Sequence, residues 1–280
     1  MPLERTFSRT EILARLRRTI AEGRAIVTAG ASVGLVAKCA ELGGADLIVV
    51  YSTGRSRIMG LPTTTMGDSN ALTLGMYEEI ANVVEDTPII GGADAVDPTY
   101  MSLPRLVRRF RDAGFAGLIN FPTIGDRQAW SAKRETVGLG FSREVEMIRL
   151  ARSQDYFSMA YVFDVDEAQR MAAAGVDVQV AHVGWTGGGL SGNKDIPAED
   201  KAAHDVQAIV EATLRENPEC ICLAHGGPLA TPEDTERIYT QTDAQGFVGA
   251  SSIERIPIER AVREAVEAFK AQHPRRKTGS

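Results

Sequence analysis

Residues 219–227 read ECICLAHGG. From Cys220 to Ala224 every position is apolar, whereas a strand with one wet face alternates apolar and polar residues. A short continuous apolar run that stops at glycine is the pattern of a parallel strand covered on both faces. Parallel strands need crossover connections, usually helices, so this reading selects an α/β fold over antiparallel alternatives. The run also ends on a titratable ring, His225, just ahead of Gly226 and Gly227. The same arrangement closes VDVQVAHVG at 176–184, where His182 follows Ala181.

The pattern recurs along the chain. RAIVTAG (24–30), DLIVVYSTGR (46–55), TPIIGGADAVD (87–97), AGLINFP (116–122), YFSMAYVF (156–163) and GFVGASS (246–252) bring the number of runs to eight. Apolar residues at helical spacing fill the intervals at 32–44, 69–86, 102–114, 142–154, 166–175, 203–217 and 231–246, with 258–272 last. Thr231 reads as an N-cap ahead of Pro232 at the first helical position. A helix over 7–23 precedes the first strand, with Ser8 and Glu11 spaced as a capping box. Eight strand–helix cycles predict a (β/α)8 TIM barrel with an extra N-terminal helix. The competitor is an open doubly wound sheet, and no G-x-G-x-x-G follows the first strand to support it. With no linker or shift in composition, the chain reads as one domain over 1–280, with its core at about 10–270 and a flexible tail at 273–280.

Composition excludes several classes. The chain has 280 residues, 44% of them hydrophobic, ample for a sizeable core. Its net charge is −6 and its basic residues are dispersed, so a nucleic-acid partner has no electrostatic footprint. No apolar run approaches the ~20 residues that span a bilayer. Glu4 and Glu11 interrupt the N-terminal region where a signal peptide would need an apolar stretch. Three cysteines make no disulfide framework, and Cys220 and Cys222 read as buried small side chains. A cytoplasmic protein acting on neither nucleic acid nor membrane is the expectation.

In a TIM barrel the carboxyl ends of the strands carry the chemistry. His182 and His225 fall at the ends of adjacent strands six and seven, about 5 Å apart if their heights match. Histidine serves there as acid, base or metal ligand, against the plainer alternative of a structural ring. Asp94 follows strand three in GGADAVDP and suits a hard cation, against the alternative of an Asx turn, which Asp97 before Pro98 fits well. Ser52, Gly54 and Arg55, after strand two, offer hydrogen bonds and a bidentate cation for an anion, or else a plain surface turn. Asn120 at the end of strand four has the chemistry to polarise a carbonyl. Gly226, Gly227, Ser251 and Ser252 follow strands seven and eight, where barrels commonly bind phosphate, and a carboxylate suits them equally. Glu254 argues against a strongly anionic ligand if it points inward.

Two loops stand out. TGGGLSGNK (186–194) has its lysine one place too late for a P-loop and reads as a mobile lid or a plain loop. PTIGDRQAWSAKRETVGLG (122–140) reads as a second long loop whose Trp130, Arg134 and Glu135 lie over a ligand.

Taken together, GGADLIVVYSTGR, NFPT, GFSREVEMIRLA, AHVGWTGGG, HGGP and GASSIERIP resemble the phosphoenolpyruvate hydrolase-like family over roughly residues 10 to 270. That family is also similar to the C-terminal domain of a plant virus-resistance protein. The resemblance implies a barrel of the phosphoenolpyruvate/pyruvate type and a homo-oligomer. By analogy with phosphonopyruvate hydrolase and its relatives, it implies a small oxo-acid or phosphonate-like carboxylate as substrate. It also implies a divalent cation, Mg2+ or another, with Asp94 where one metal-holding acid is expected. The group's Lys-Lys-Cys-Gly-His motif is absent, and His182 and His225 have no counterparts in it.

The expectation is therefore a hydrolase or lyase on a small anionic substrate. Asp94 holds the metal, Arg55, Ser251 and Ser252 hold the anionic end, Asn120 polarises a carbonyl, and His182 and His225 move protons. A non-catalytic ligand-binding or signalling barrel is the alternative.

Overall fold

The computed structural model describes residues 6–274. Eight parallel strands close into a barrel in sequence order: β1 (Ile26–Gly30), β2 (Leu47–Val50), β3 (Ile89–Gly92), β4 (Gly117–Ile119), β5 (Phe157–Val162), β6 (Val178–His182), β7 (Ile221–His225) and β8 (Gly246–Gly249). The circle closes where β1 pairs with β8. Almost every strand residue is buried, which is why the sequence runs are apolar throughout. One set of side chains fills the barrel; the other packs under the helices.

The helices are α1 (Arg9–Ala21), α2 (Gly34–Leu42), α3 (Thr53–Ile58), α4 (Ser69–Ala81), α5 (Leu103–Asp112), α6 (Gln128–Glu135), α7 (Phe141–Ser153), α8 (Val165–Ala173), α9 (Glu199–Glu216), α10 (Pro232–Gln241) and α11 (Ile256–Lys270). Helix α1 is the expected extra N-terminal helix; its Ile12, Leu13 and Leu16 join the cluster inside the barrel. Ser8 caps it by accepting from the Glu11 N–H, and Thr231 with Asp234 forms a full capping box on α10. Two helices, α3 and α6, occupy segments that read as loops in the sequence. The frayed tail expected at 273–280 lies, from 275 onward, outside the described residues. Among the described residues no helix is long and apolar enough to cross a membrane.

Candidate functional site

The two histidines meet. His182 and His225 are direct partners in the parallel register of β6 and β7, and their ring centroids lie 4.6 Å apart. Both are nearly inaccessible, at 3% and 6% exposure. Tyr161 on β5 stands 5.2 Å from His182 and 5.0 Å from His225, and Phe163 stacks on His182 at 4.4 Å.

Their hydrogen bonds differ, and the difference fixes their chemistry. The Nδ1 of His225 lies 2.6 Å from the Val248 carbonyl oxygen. A carbonyl only accepts, so His225 donates from Nδ1, and its Nε2 keeps a lone pair in the neutral ring. The Gly184 N–H instead donates to His182 Nδ1 at 3.2 Å. That places the proton of neutral His182 on Nε2. Burial pulls His225 down to about 4, with Arg57 adding to the effect. Burial, together with His225, pulls His182 well below the usual imidazole range. Two neutral rings of opposite tautomer therefore stand side by side at pH 7, one a base and the other a donor.

The pair faces a cavity of about 630 Å3 at the C-terminal rim. Strand ends supply Tyr51, Phe121, Ala250 and Ser251; Arg57 comes from α3, and Trp185, Thr186 and residues 190–194 come from the loop after β6. A side pocket of about 70 Å3 shares Thr63, Phe121, His182 and Trp185 and adds threonines 53, 64, 65 and 123. Of the residues singled out in the sequence as site candidates, His182, His225 and Ser251 line the cavity.

The others lie outside the lining, each for a visible reason. Arg55 is exposed, because Thr53–Ile58 is a helix and not a loop; two residues on, Arg57 points inward at 4% exposure. Arg57 forms a buried pair with Glu254 through Nε at 2.9 Å and Nη2 at 2.8 Å. Glu254 does point inward, and its other oxygen accepts from the backbone and hydroxyl of Ser32. The pair thus presents a neutral wall. Ser52 is buried behind Tyr51, and Gly54 is needed for packing: an added Cβ would lie 2.6 Å from Ser32 Cβ.

Asn120 has no donor to spare. Its Nδ2 donates to Glu144 Oε2 at 2.6 Å and to the Tyr161 carbonyl at 3.1 Å, while its Oδ1 accepts from the Tyr161 N–H at 2.7 Å. It ties β4 to β5 and cannot polarise a substrate carbonyl. Glu144, invisible as a site residue in the sequence, also accepts from Thr123 Oγ1 at 2.7 Å and the Ile124 N–H at 2.8 Å. That clamp holds the turn carrying Phe121, and burial pushes Glu144 up to about 8. Gly226 and Gly227 shape the crossing of the loops after β6 and β7. The Gly227 N–H donates to Gly184 O at 2.8 Å, and a Cβ on Gly226 would collide with that same oxygen. Ser252 is half-buried and off the lining.

Asp94 takes the Asx-turn alternative. Its Oδ1 accepts from the Val96 N–H at 3.0 Å, its backbone is clamped by Asn70, and burial pushes it up to about 6. Asp97 likewise caps Thr99. A hard cation needs oxygen ligands, yet among the described residues the cavity lining has no Asp or Glu. Among the described residues no three His, Cys, Asp or Glu side chains converge as a metal site. The residues present do not fit the divalent cation that the resemblance implies, and no step below runs through one.

The glycine loop is tied down. The Gly188 carbonyl accepts from Arg255 Nη2 at 3.0 Å, and the Leu190 N–H donates to Glu259 at 2.8 Å. The segment 122–140 is also folded, around α6; Trp130 is exposed and off the cavity, and Arg134 reaches back to the carbonyls of Val96 and Leu139. Trp185, not Trp130, is the tryptophan that lines the cavity.

The family model described as phosphoenolpyruvate hydrolase-like matches residues 11–272. A curated relative, the ToMV susceptible protein tm-1(GCR26) of Solanum lycopersicum, is 38% identical over 269 residues. That match covers 94% of this chain but 36% of the tomato protein, so the chain spans about a third of that relative's length. Among solved structures, 2,3-dimethylmalate lyase superposes with a TM-score of 0.60 at 18% identity, covering 98% of this chain and 92% of that one. Phosphonopyruvate hydrolase in complex with oxalate and Mg2+ gives 0.58 at 20% identity, covering 92% and 87%. At such identities the structural likeness shows the fold.

Proposed function

The chain belongs to the phosphoenolpyruvate hydrolase-like family, and on that premise we propose that it is a hydrolase or lyase acting on a carbonyl group of an oxo-acid in the cavity over His182 and His225. The observation that carries the reading is the opposed tautomers of the two rings. A barrel that only binds a ligand has little use for a buried base and a buried donor side by side.

In the hydrolytic form, His225 Nε2 takes a proton from water as the water oxygen bonds to the carbonyl carbon. His182 Nε2–H donates to the carbonyl oxygen as negative charge grows there. A neutral imidazole with a depressed pKa suits this electrophilic role. The carbonyl then re-forms, the bond to the leaving fragment breaks, and that fragment keeps the electron pair. It collects the proton from His225, so the balance is one water added. The enzymes among the structural neighbours make an oxo-acid the first substrate class to try.

The test is a panel of oxo-acids followed by proton NMR with the wild type and His225→Gln. Conversion by the wild type, lost in the variant, is expected. Conversion by neither, or equal conversion by both, contradicts the reading.

The homo-oligomer expectation also has a physical basis. Helix α11 has no buried residue, and Val262, Val266 and Phe269 are exposed along one side at 58%, 60% and 81%. Helix α2, after β1, likewise exposes Leu35 and Leu42, at 75% and 78%. A second copy covering these stripes is the simplest arrangement that removes both from water.

A further inference from the structure

The cavity's size and charge say more about its ligand than its histidines do. About 630 Å3 falls in the range that takes drug-sized molecules, ~300–1,000 Å3. A two- to four-carbon acid would leave most of that space to water. The walls offer the ring faces of Tyr51, Phe121 and Trp185 besides the imidazoles. Such faces favour a planar or apolar body.

Charge is distributed unevenly. The buried end has no uncompensated cation among the described residues: Arg57 is held by Glu254, whose carboxylate also accepts two hydrogen bonds from Ser32, and both histidines are pulled toward neutrality. A dianion such as oxalate would lose hydration there and meet a guanidinium whose charge is already paired with Glu254. Lys194, in the loop over the mouth, is exposed and is the other cation of the lining. It has no carboxylate partner among the described residues. The mouth is where a carboxylate keeps its water and still finds an opposite charge.

We infer that the ligand is an aryl keto acid carrying one negative charge, with its carboxylate remote from the reacting carbonyl. The carbonyl lies over His182 and His225, the ring between Trp185 and Phe121, and the carboxylate at Lys194. This rests on the reading above only for which end of the ligand faces the histidines.

The probe is 4-oxo-4-phenylbutanoate, a simple aryl keto acid, compared with oxalate and pyruvate by titration calorimetry on the full chain. The aryl keto acid is expected to bind at least about tenfold tighter than either small acid. Trp185→Ala should weaken it about tenfold, from lost ring contact and buried area. Lys194→Met should weaken it by up to about fivefold, the scale of an exposed ion pair, and should reduce the salt dependence. Oxalate or pyruvate binding as tightly, no binding of the aryl acid, or unchanged affinity in both variants would each overturn the inference. Trp185→Phe, with a melting curve, guards against a folding defect in the alanine variant. Turnover of small oxo-acids with no aryl preference would sink this inference alone. Tight aryl binding with no turnover of any oxo-acid would sink the catalytic reading alone.

Discussion

At the scale of the residue, the pairing of His225 with Val248 and of Gly184 with His182 makes definite predictions. Once a substrate is in hand, His225→Gln should lower turnover by ~10²–10⁴-fold while the fold survives, the usual range for a lost general acid or base. Normal turnover would return His225 to a structural role. The free enzyme's rate should stay level down to about pH 5 and be halved only near His225's depressed value of about 4. A half-loss near 6.5 would show an ordinary, solvated imidazole. Stability follows the same sign. A ring whose folded value is depressed from 6.5 to about 4 contributes on the order of 3 kcal/mol above pH 6.5, and that contribution is lost as pH falls through 4. The wild-type melting temperature should therefore fall from pH 7 to pH 4 by more than that of His225→Gln; equal slopes would deny the shift. These two rings were legible in the sequence because each ends a continuous apolar run just ahead of glycine. Arg57 and Trp185 were not, since neither belongs to a pattern. Asn120 was misread because the partner that saturates it, Glu144, lies 24 positions away on α7.

At the scale of the element, the eight strands were legible because burial on both faces leaves no polar alternation to confuse them. Helix α3 was not: six residues reading TGRSRI carry no apolar stripe. Only a helical phase turns Arg55 outward and Arg57 inward, so reading the segment as a loop selected the wrong arginine. The glycine loop, which reads in the sequence as a mobile lid or a plain loop, is held at Gly188 and Leu190 by Arg255 and Glu259. Gly188 and Gly189 both have positive φ, at +78° and +68°, where alanine costs ~1–2 kcal/mol. At Gly188 an added Cβ would meet nothing closer than 3.7 Å, whereas at Gly189 it would strike the Arg255–Glu259 ion pair that pins the loop. Gly189→Ala should therefore lower the melting temperature and weaken ligand binding more than Gly188→Ala. Equal effects in both assays would mean that backbone strain alone matters and that the pinning pair does not hold the loop in place.

At the scale of the whole molecule, a closed barrel brings strand ends from distant parts of the chain to one rim, and the site is what gathers there. Helix α11 is exposed from residue 260 to its end. If a second copy covers it, light scattering on the eluting protein should give at least twice 30.2 kDa, and Val262→Glu with Val266→Glu should return it to a folded monomer. A wild-type monomer would leave that surface without this partner. The claim on which the rest depends, that the rim holds two neutral histidines of opposite tautomer, needs no substrate to test. Nitrogen-15 NMR of the histidine side chains at pH 6–7 reports the protonation of each ring nitrogen directly. The account predicts one buried ring protonated on Nδ1 only, assigned to His225 by its loss in His225→Gln, and the other protonated on Nε2 only, assigned to His182. A doubly protonated ring at either position, or the same tautomer at both, would contradict it.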